Sequence, residues 1–202
     1  MLEPRIQQHF FESADLSYQA AEAMARPIAD AAQALVDCVT SGGRIWVHGR
    51  GVAQAPAQLL GAALSGRFER ERPGLAAMVL AVDALLLSQA RDSDADAPAV
   101  TQLRVLGQAG DVLVAFSLRP DDALLAAVVD AAHEREMSAV VVAGREPGAG
   151  TARGGTPVAT AETDIWITVP HERAARICEL QLLTLHALCD AVDLQLLGDA
   201  DL

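Results

Sequence analysis

Basic residues are in short supply: 15 Lys and Arg stand against 27 Asp and Glu, a formal net charge of −12. Phosphate backbones are held by Lys and Arg, so this balance argues against direct nucleic-acid binding and for a basic protein partner or a neutral surface. Cysteine is scarce too. Cys38, Cys178 and Cys189 are odd in number and lack CxxC spacing, which excludes a disulfide framework and points to reduced, mostly buried thiols. No apolar run reaches ~18–20 residues without a charge, so no membrane span is expected. Met1-Leu2-Glu3-Pro4-Arg5 has neither the basic flank nor the apolar stretch of a signal peptide, and the expectation is a cytoplasmic protein. No internal repeat is evident.

What is present is material for a core. The chain has 202 residues, 51% of them hydrophobic, which is enough for one well-packed domain, and its 21% of charged residues makes global disorder a poor expectation. Ile28, Ala32, Leu35, Val36 and Val39 recur at helical spacing within a helical region from about Glu3 to Ser41. Pro27 suits a helix first turn, so two helices or one kinked helix are expected there, closed by Gly42-Gly43. Strand-like runs follow at Ile45–Val47, Ala76–Val82, Asp111–Ser117, Ser138–Ala143 and Asp164–Val169. Helical stretches lie at Gln54–Leu64 and at roughly 84–91, 97–108 and 121–136. Val-rich runs alternating with amphipathic helices predict a parallel sheet covered on both faces.

The last helix, about His171 to Leu194, is apolar around most of its surface, which implies burial on more than one side. Glu179, His186, Asp190 and Asp193 form a narrow polar stripe on it, read as solvated or interface-lining. The charged stretch Arg67 to Leu75 reads as a solvated turn, and Gly144 to Glu162 as a loop rich in Gly, Thr and Ala.

Arg44-Ile45-Trp46-Val47-His48-Gly49-Arg50-Gly51-Val52-Ala53 reads as strand, tight turn and helix start, the place where open α/β sheets receive small ligands. Together with Arg67 to Leu75, Leu106-Gly107-Gln108-Ala109-Gly110-Asp111-Val112-Leu113 and Ala175-Arg176-Ile177-Cys178-Glu179, it resembles the sugar isomerase (SIS) domain family, in the branch of bacterial phosphoheptose isomerase and the DnaA initiator-associating protein DiaA. The ending Leu188 to Asp193 is especially similar to DiaA. The resemblance implies a three-layer α/β sandwich with a five-stranded parallel sheet in flavodoxin-like order 2-1-3-4-5. It also implies a helical oligomerisation arm over residues 1–43, an SIS domain over 44–202, and a homotetramer.

Carried over residue by residue, the isomerase site is incomplete. The serine of the family's Gly-Asn-Gly-Gly-Ser turn aligns with Ala53, and its hydroxyl-rich phosphate loop aligns with Ser117-Leu118-Arg119-Pro120-Asp121-Asp122. Asp121 and Asp122 suit a helix N-terminus, where they would compete with a bound phosphate. The family's metal-binding His, Glu and Gln align with Leu59, Ala63 and Cys178, and its remaining ligand His with His186. The expectation is therefore a residual ligand-binding set of Gly49, Gly51, Ser117 and Arg119, with no catalytic set beyond His186 and no metal. The resemblance to DiaA implies a non-catalytic scaffold that assembles the initiator DnaA through Leu196 and Leu197, placed just past the last helix. The alternatives are a zinc-dependent phosphoheptose isomerase acting on sedoheptulose 7-phosphate, or a sensor that binds a sugar phosphate without turning it over.

Overall fold

A computed structural model describes residues 2–80, 97–145, 158 and 160–199. The chain begins with one long helix, α1 (Leu2–Thr40), followed by β1 (Ile45–Gly49), a short 3-10 turn (Gly51–Ala53) and α2 (Gln54–Ser65). Then come β2 (Ala77–Val79), α3 (Ala97–Leu106), β3 (Val112–Ser117), α4 (Ala123–His133), β4 (Ser138–Gly144), β5 (Ile165–Val169) and α5 (Ala174–Leu197). The five strands form one parallel sheet in the order β2-β1-β3-β4-β5, the expected 2-1-3-4-5 arrangement. The predicted helix at 84–91 and most of the 144–162 loop lie outside the described residues.

The strands alternate between two cores. Ile45, Val47, Val112, Val114, Phe116, Val140 and Val142 face α1, α2 and α5. Trp46, Leu113, Ala115, Ala139, Val141 and Ala143 face α3 and α4. Period-two side-chain direction on strands buried from both sides produces this split, and explains why the runs read as continuously apolar.

Two sequence expectations change. The N-terminal region is a single helix that runs through Pro27. Proline removes one helical donor, but Leu16, Ala20 and Met24 before it and Ala31, Ala32 and Leu35 after it are buried in the same core, which holds the helix on both sides of it. The last helix starts later and runs further than expected, to Leu197. By length and composition it could cross a membrane, yet Ile177, Leu180, Leu185, Leu188 and Val192 are buried against α1 and the sheet.

Candidate functional site

The chain leaves β1 in opposite directions on its two sides: through α2 to β2, and later through α3 to β3. The carboxyl ends of β1 and β3 therefore bound the topological switch point, where the crevice of an open α/β sheet opens. Position 49, the last of β1, takes glycine because a Cβ there would collide with the Ala53 carbonyl oxygen. Gly51 follows with φ +57, a left-handed conformation that favours glycine. The turn is closed by the Ala53 amide donating to the Arg50 carbonyl at 3.1 Å.

On the β3 side, the Ser117 hydroxyl donates to the Arg119 carbonyl at 2.9 Å and accepts from the Arg119 amide at 3.2 Å. The Arg119 guanidinium forks onto Asp121, at 2.7 Å from Nε and 2.5 Å from Nη2. That fork holds the Asp121 carboxyl below the usual range. Asp122 caps α4 by accepting from the Leu124 amide at 2.9 Å. The loop thus supplies its own anions to its own donors, so a phosphate entering here must displace Asp121 from Arg119.

Between the two loops lies a cleft of about 220 Å³, lined by His48, Arg50, Phe116, Ser117, Leu118, Arg119, Asp122, Leu124 and Leu125. At ~30 Å³ per water this is room for several waters or a compact ligand. His48 is 5% exposed, and its Nδ1 is buried without a hydrogen-bond partner among the described residues. Burial pushes its pKa down to about 4; Asp122 opposes that shift and Arg50 adds to it, so the ring is neutral at pH 7.

Of the residues expected from sequence, Ser117 and Arg119 line this cleft, while Gly49 and Gly51 shape the turn after β1 and do not line it. His186 lies elsewhere, exposed on α5 and stacked on Phe68 with ring centroids 5.6 Å apart. Leu196 and Leu197 are not past the last helix but form its final turn, because the helix extends three residues further. Leu196 packs against the core, and Leu197 is 40% exposed. The zinc implied by the isomerase resemblance does not fit the residues present. Leu59 and Ala63 offer no donor, and the described residues contain no group of three or more His, Cys, Asp or Glu placed to hold a metal.

Two features escape a sequence reading. His48 ends an apolar strand, and only its position before Gly49 hints at a site. Arg72, in the stretch read as a solvated turn, has a side chain only 2% exposed and pairs with the buried Asp193 at 2.5 Å. The stripe on α5 is thus split: Asp193 is in the core, whereas Glu179 accepts from Arg176 and from Ser13 on α1. His171 also takes a definite role, its Nδ1 accepting from the Arg173 amide at the start of α5.

The SIS domain model matches residues 8–144. The phosphoheptose isomerase of Methylibium petroleiphilum is 48% identical over 203 residues, covering 100% of this chain and 98% of that protein. That of Laribacter hongkongensis is 42% identical, covering 96% of each. Among solved structures, phosphoheptose isomerase from Neisseria gonorrhoeae superposes with a TM-score of 0.82 at 34% identity, covering 96% of this chain and 99% of that one. These end-to-end relatives carry the name of an enzyme, and none of them that of an initiator-binding protein. They overturn the expectation of a non-catalytic scaffold that assembles DnaA, and favour the alternative held beside it. The chain belongs to the SIS domain family, on its phosphoheptose isomerase branch.

Proposed function

We propose that this protein takes a phosphorylated sugar into the cleft between β1 and β3 and acts as a phosphoheptose isomerase-type aldose–ketose isomerase, with sedoheptulose 7-phosphate as the substrate to test first. The observation that carries this reading is a cleft at the switch point of a chain similar over its whole length to proteins of that name. Isomerisation of this kind moves a proton between adjacent carbons, so it needs groups that accept and release protons beside the substrate. The cleft is lined by an imidazole, His48, a carboxyl group, Asp122, and two arginines, Arg50 and Arg119, which can hold a phosphoryl group once it displaces Asp121 from Arg119. No step is assigned to zinc.

A second reading has a specific observation in its favour. Leu59, Ala63 and Cys178 stand where the family's metal ligands align, and Ala53 where a phosphate-binding serine would be. Those replacements favour a protein that binds the sugar phosphate without converting it.

One experiment separates the two. Purified protein is incubated with sedoheptulose 7-phosphate while aldose product is followed, and binding is measured by calorimetry on the same sample. Turnover of about 1 per second or faster, an ordinary enzymatic rate, supports the isomerase. Binding without product selects the sensor, and neither binding nor product sinks both.

A homotetramer in the cytoplasm belongs to the same proposal. Leu2, Ile6 and Phe10 fall four residues apart on α1 and are 76%, 55% and 72% exposed, an apolar stripe suited to another copy of the chain.

A further inference from the structure

β1 delivers one polar side chain to the cleft with a ring nitrogen that no described residue satisfies. His48 sits opposite Ala115 of β3 in the sheet register, and its buried Nδ1 has no hydrogen-bond partner among the described residues. Buried polar atoms in native proteins are nearly always hydrogen-bonded, and an unpaired one forfeits its hydration for nothing in return. Other buried atoms are also unpartnered, on Trp166, Arg176, Gln181 and Asp193, but none of those residues lines the cleft. Three of the four side chains are already bonded through their remaining atoms.

The surroundings of His48 select the chemistry that would complete it. Phe116, Leu118, Leu124 and Leu125 give the cleft apolar walls, and Arg50, Ser117, Arg119 and Asp122 give it a polar edge. The charged groups on this edge are Arg50 after β1, Arg119 after β3 with its partner Asp121, and Asp122 at the start of α4. Burial holds the imidazole neutral. A neutral ring has one N–H and one lone pair, so a hydroxyl, which both donates and accepts, satisfies either tautomer. A phosphoryl group touching the ring would instead draw a proton onto it, against the burial that keeps it neutral.

Resting on the sugar-phosphate reading above, we propose that His48 is a specificity-determining residue of this cleft, its imidazole hydrogen-bonding a hydroxyl of the bound sugar. The phosphate is left to the guanidinium groups of Arg50 and Arg119. The cleft then distinguishes a phosphorylated polyol from a bare phosphate through a single imidazole.

The test uses the full chain with sedoheptulose 7-phosphate and inorganic phosphate as probes, by calorimetry on wild type, His48→Leu and His48→Gln. His48→Leu weakens the sugar phosphate about tenfold, equivalent to about 1.4 kcal/mol, and leaves inorganic phosphate unchanged. His48→Gln recovers most of the loss. In wild type at pH 6, the histidine ring ¹⁵N resonances of His48 shift with the sugar phosphate but not with phosphate, and remain those of a neutral ring. This measurement decides the matter if the variants do not fold. Unchanged affinity in His48→Leu, equal weakening for both probes, or unmoved ring resonances under saturating sugar phosphate overturns the inference alone. If wild type binds no sugar phosphate, the reading beneath it fails and takes the inference with it.

Discussion

Arg72 satisfies an unusual number of partners from a position in a charged loop. Its Nε donates to Asp193 on α5, Nη1 to the carbonyls of Leu64, Gly66 and Pro73, and Nη2 to that of Ala63. Ala63 and Leu64 belong to the last turn of α2, whose carbonyls have no intrahelical donor, so one guanidinium caps that helix and neutralises Asp193. Arg72→Leu leaves Asp193 buried and uncompensated, and the expected loss is about 3–5 kcal/mol, read as a lower urea midpoint at unchanged m-value. Arg72→Lys keeps the charge but loses the fork, and falls between the two. His48 supplies a second test of the same kind. Burial pushes its pKa down to about 4 in the folded protein, from the ordinary 6.5 of an exposed imidazole. Between those values the unfolded chain takes up a proton that the folded chain refuses, so stability is full above pH 6.5 and falls as pH drops towards 4. At 1.36 kcal/mol per pKa unit the loss is about 3 kcal/mol. Carboxylates titrate over part of this range too, so the quantity to measure is the stability difference between wild type and His48→Gln. That difference should shift against wild type by about 2–3 kcal/mol between pH 7.5 and pH 4.5.

At the scale of elements, β1, β3, β4 and β5 were legible because strands buried on both faces are written as short Val-rich runs bounded by turns. Asp111 shows why the register is firm: its buried carboxylate accepts from the Arg44 amide, the Gln108 amide and Trp46 Nε1, tying the start of β1 to β3. The capping of α4 by Asp122 was legible too, since it is local chemistry. Long-range pairing was not. Arg72 reads as a solvent-facing residue because alternating charges usually face water, and its partner lies 121 positions away. Pro27 reads as a boundary because local propensity disfavours it, while the core on either side of it cannot be seen from one stretch of sequence. In the site, Ser117 and Arg119 were found by their place at a strand's carboxyl end. His48 is not legible as a site residue, because a missing hydrogen-bond partner is a property of the folded surroundings and leaves no trace in residue order.

At the scale of the whole molecule, the outer part of α1 is the feature that a single chain does not explain. Phe10, Phe11 and Tyr18 are 72%, 63% and 82% exposed, as are the more distal Leu2 and Ile6 at 76% and 55%. Further along the same helix an apolar groove of about 360 Å³ lies between α1 and α5, lined by Ala21, Met24, Ala25, Ile28, Leu183 and Ala187 among others. Single exposed apolar side chains are ordinary, but the stripe of Leu2, Ile6 and Phe10 together with an apolar groove on one helix is costly to leave in water. Another copy of the same chain meets both features with no further partner, and closed symmetric assemblies are the common outcome of such self-complementarity. The net charge of −12 opposes this association at long range. Salt screens that repulsion while leaving apolar burial intact, so assembly should tighten between low and moderate ionic strength. Light scattering on the eluting protein should give about four times the chain mass of 21.2 kDa. Phe10→Glu with Phe11→Glu, which places charges in the stripe but leaves the sheet core untouched, should reduce the mass to that of a smaller species with its circular dichroism intact. A monomeric wild type at tens of micromolar, in both low and moderate salt, would show that the stripe is covered by something other than another copy of the chain.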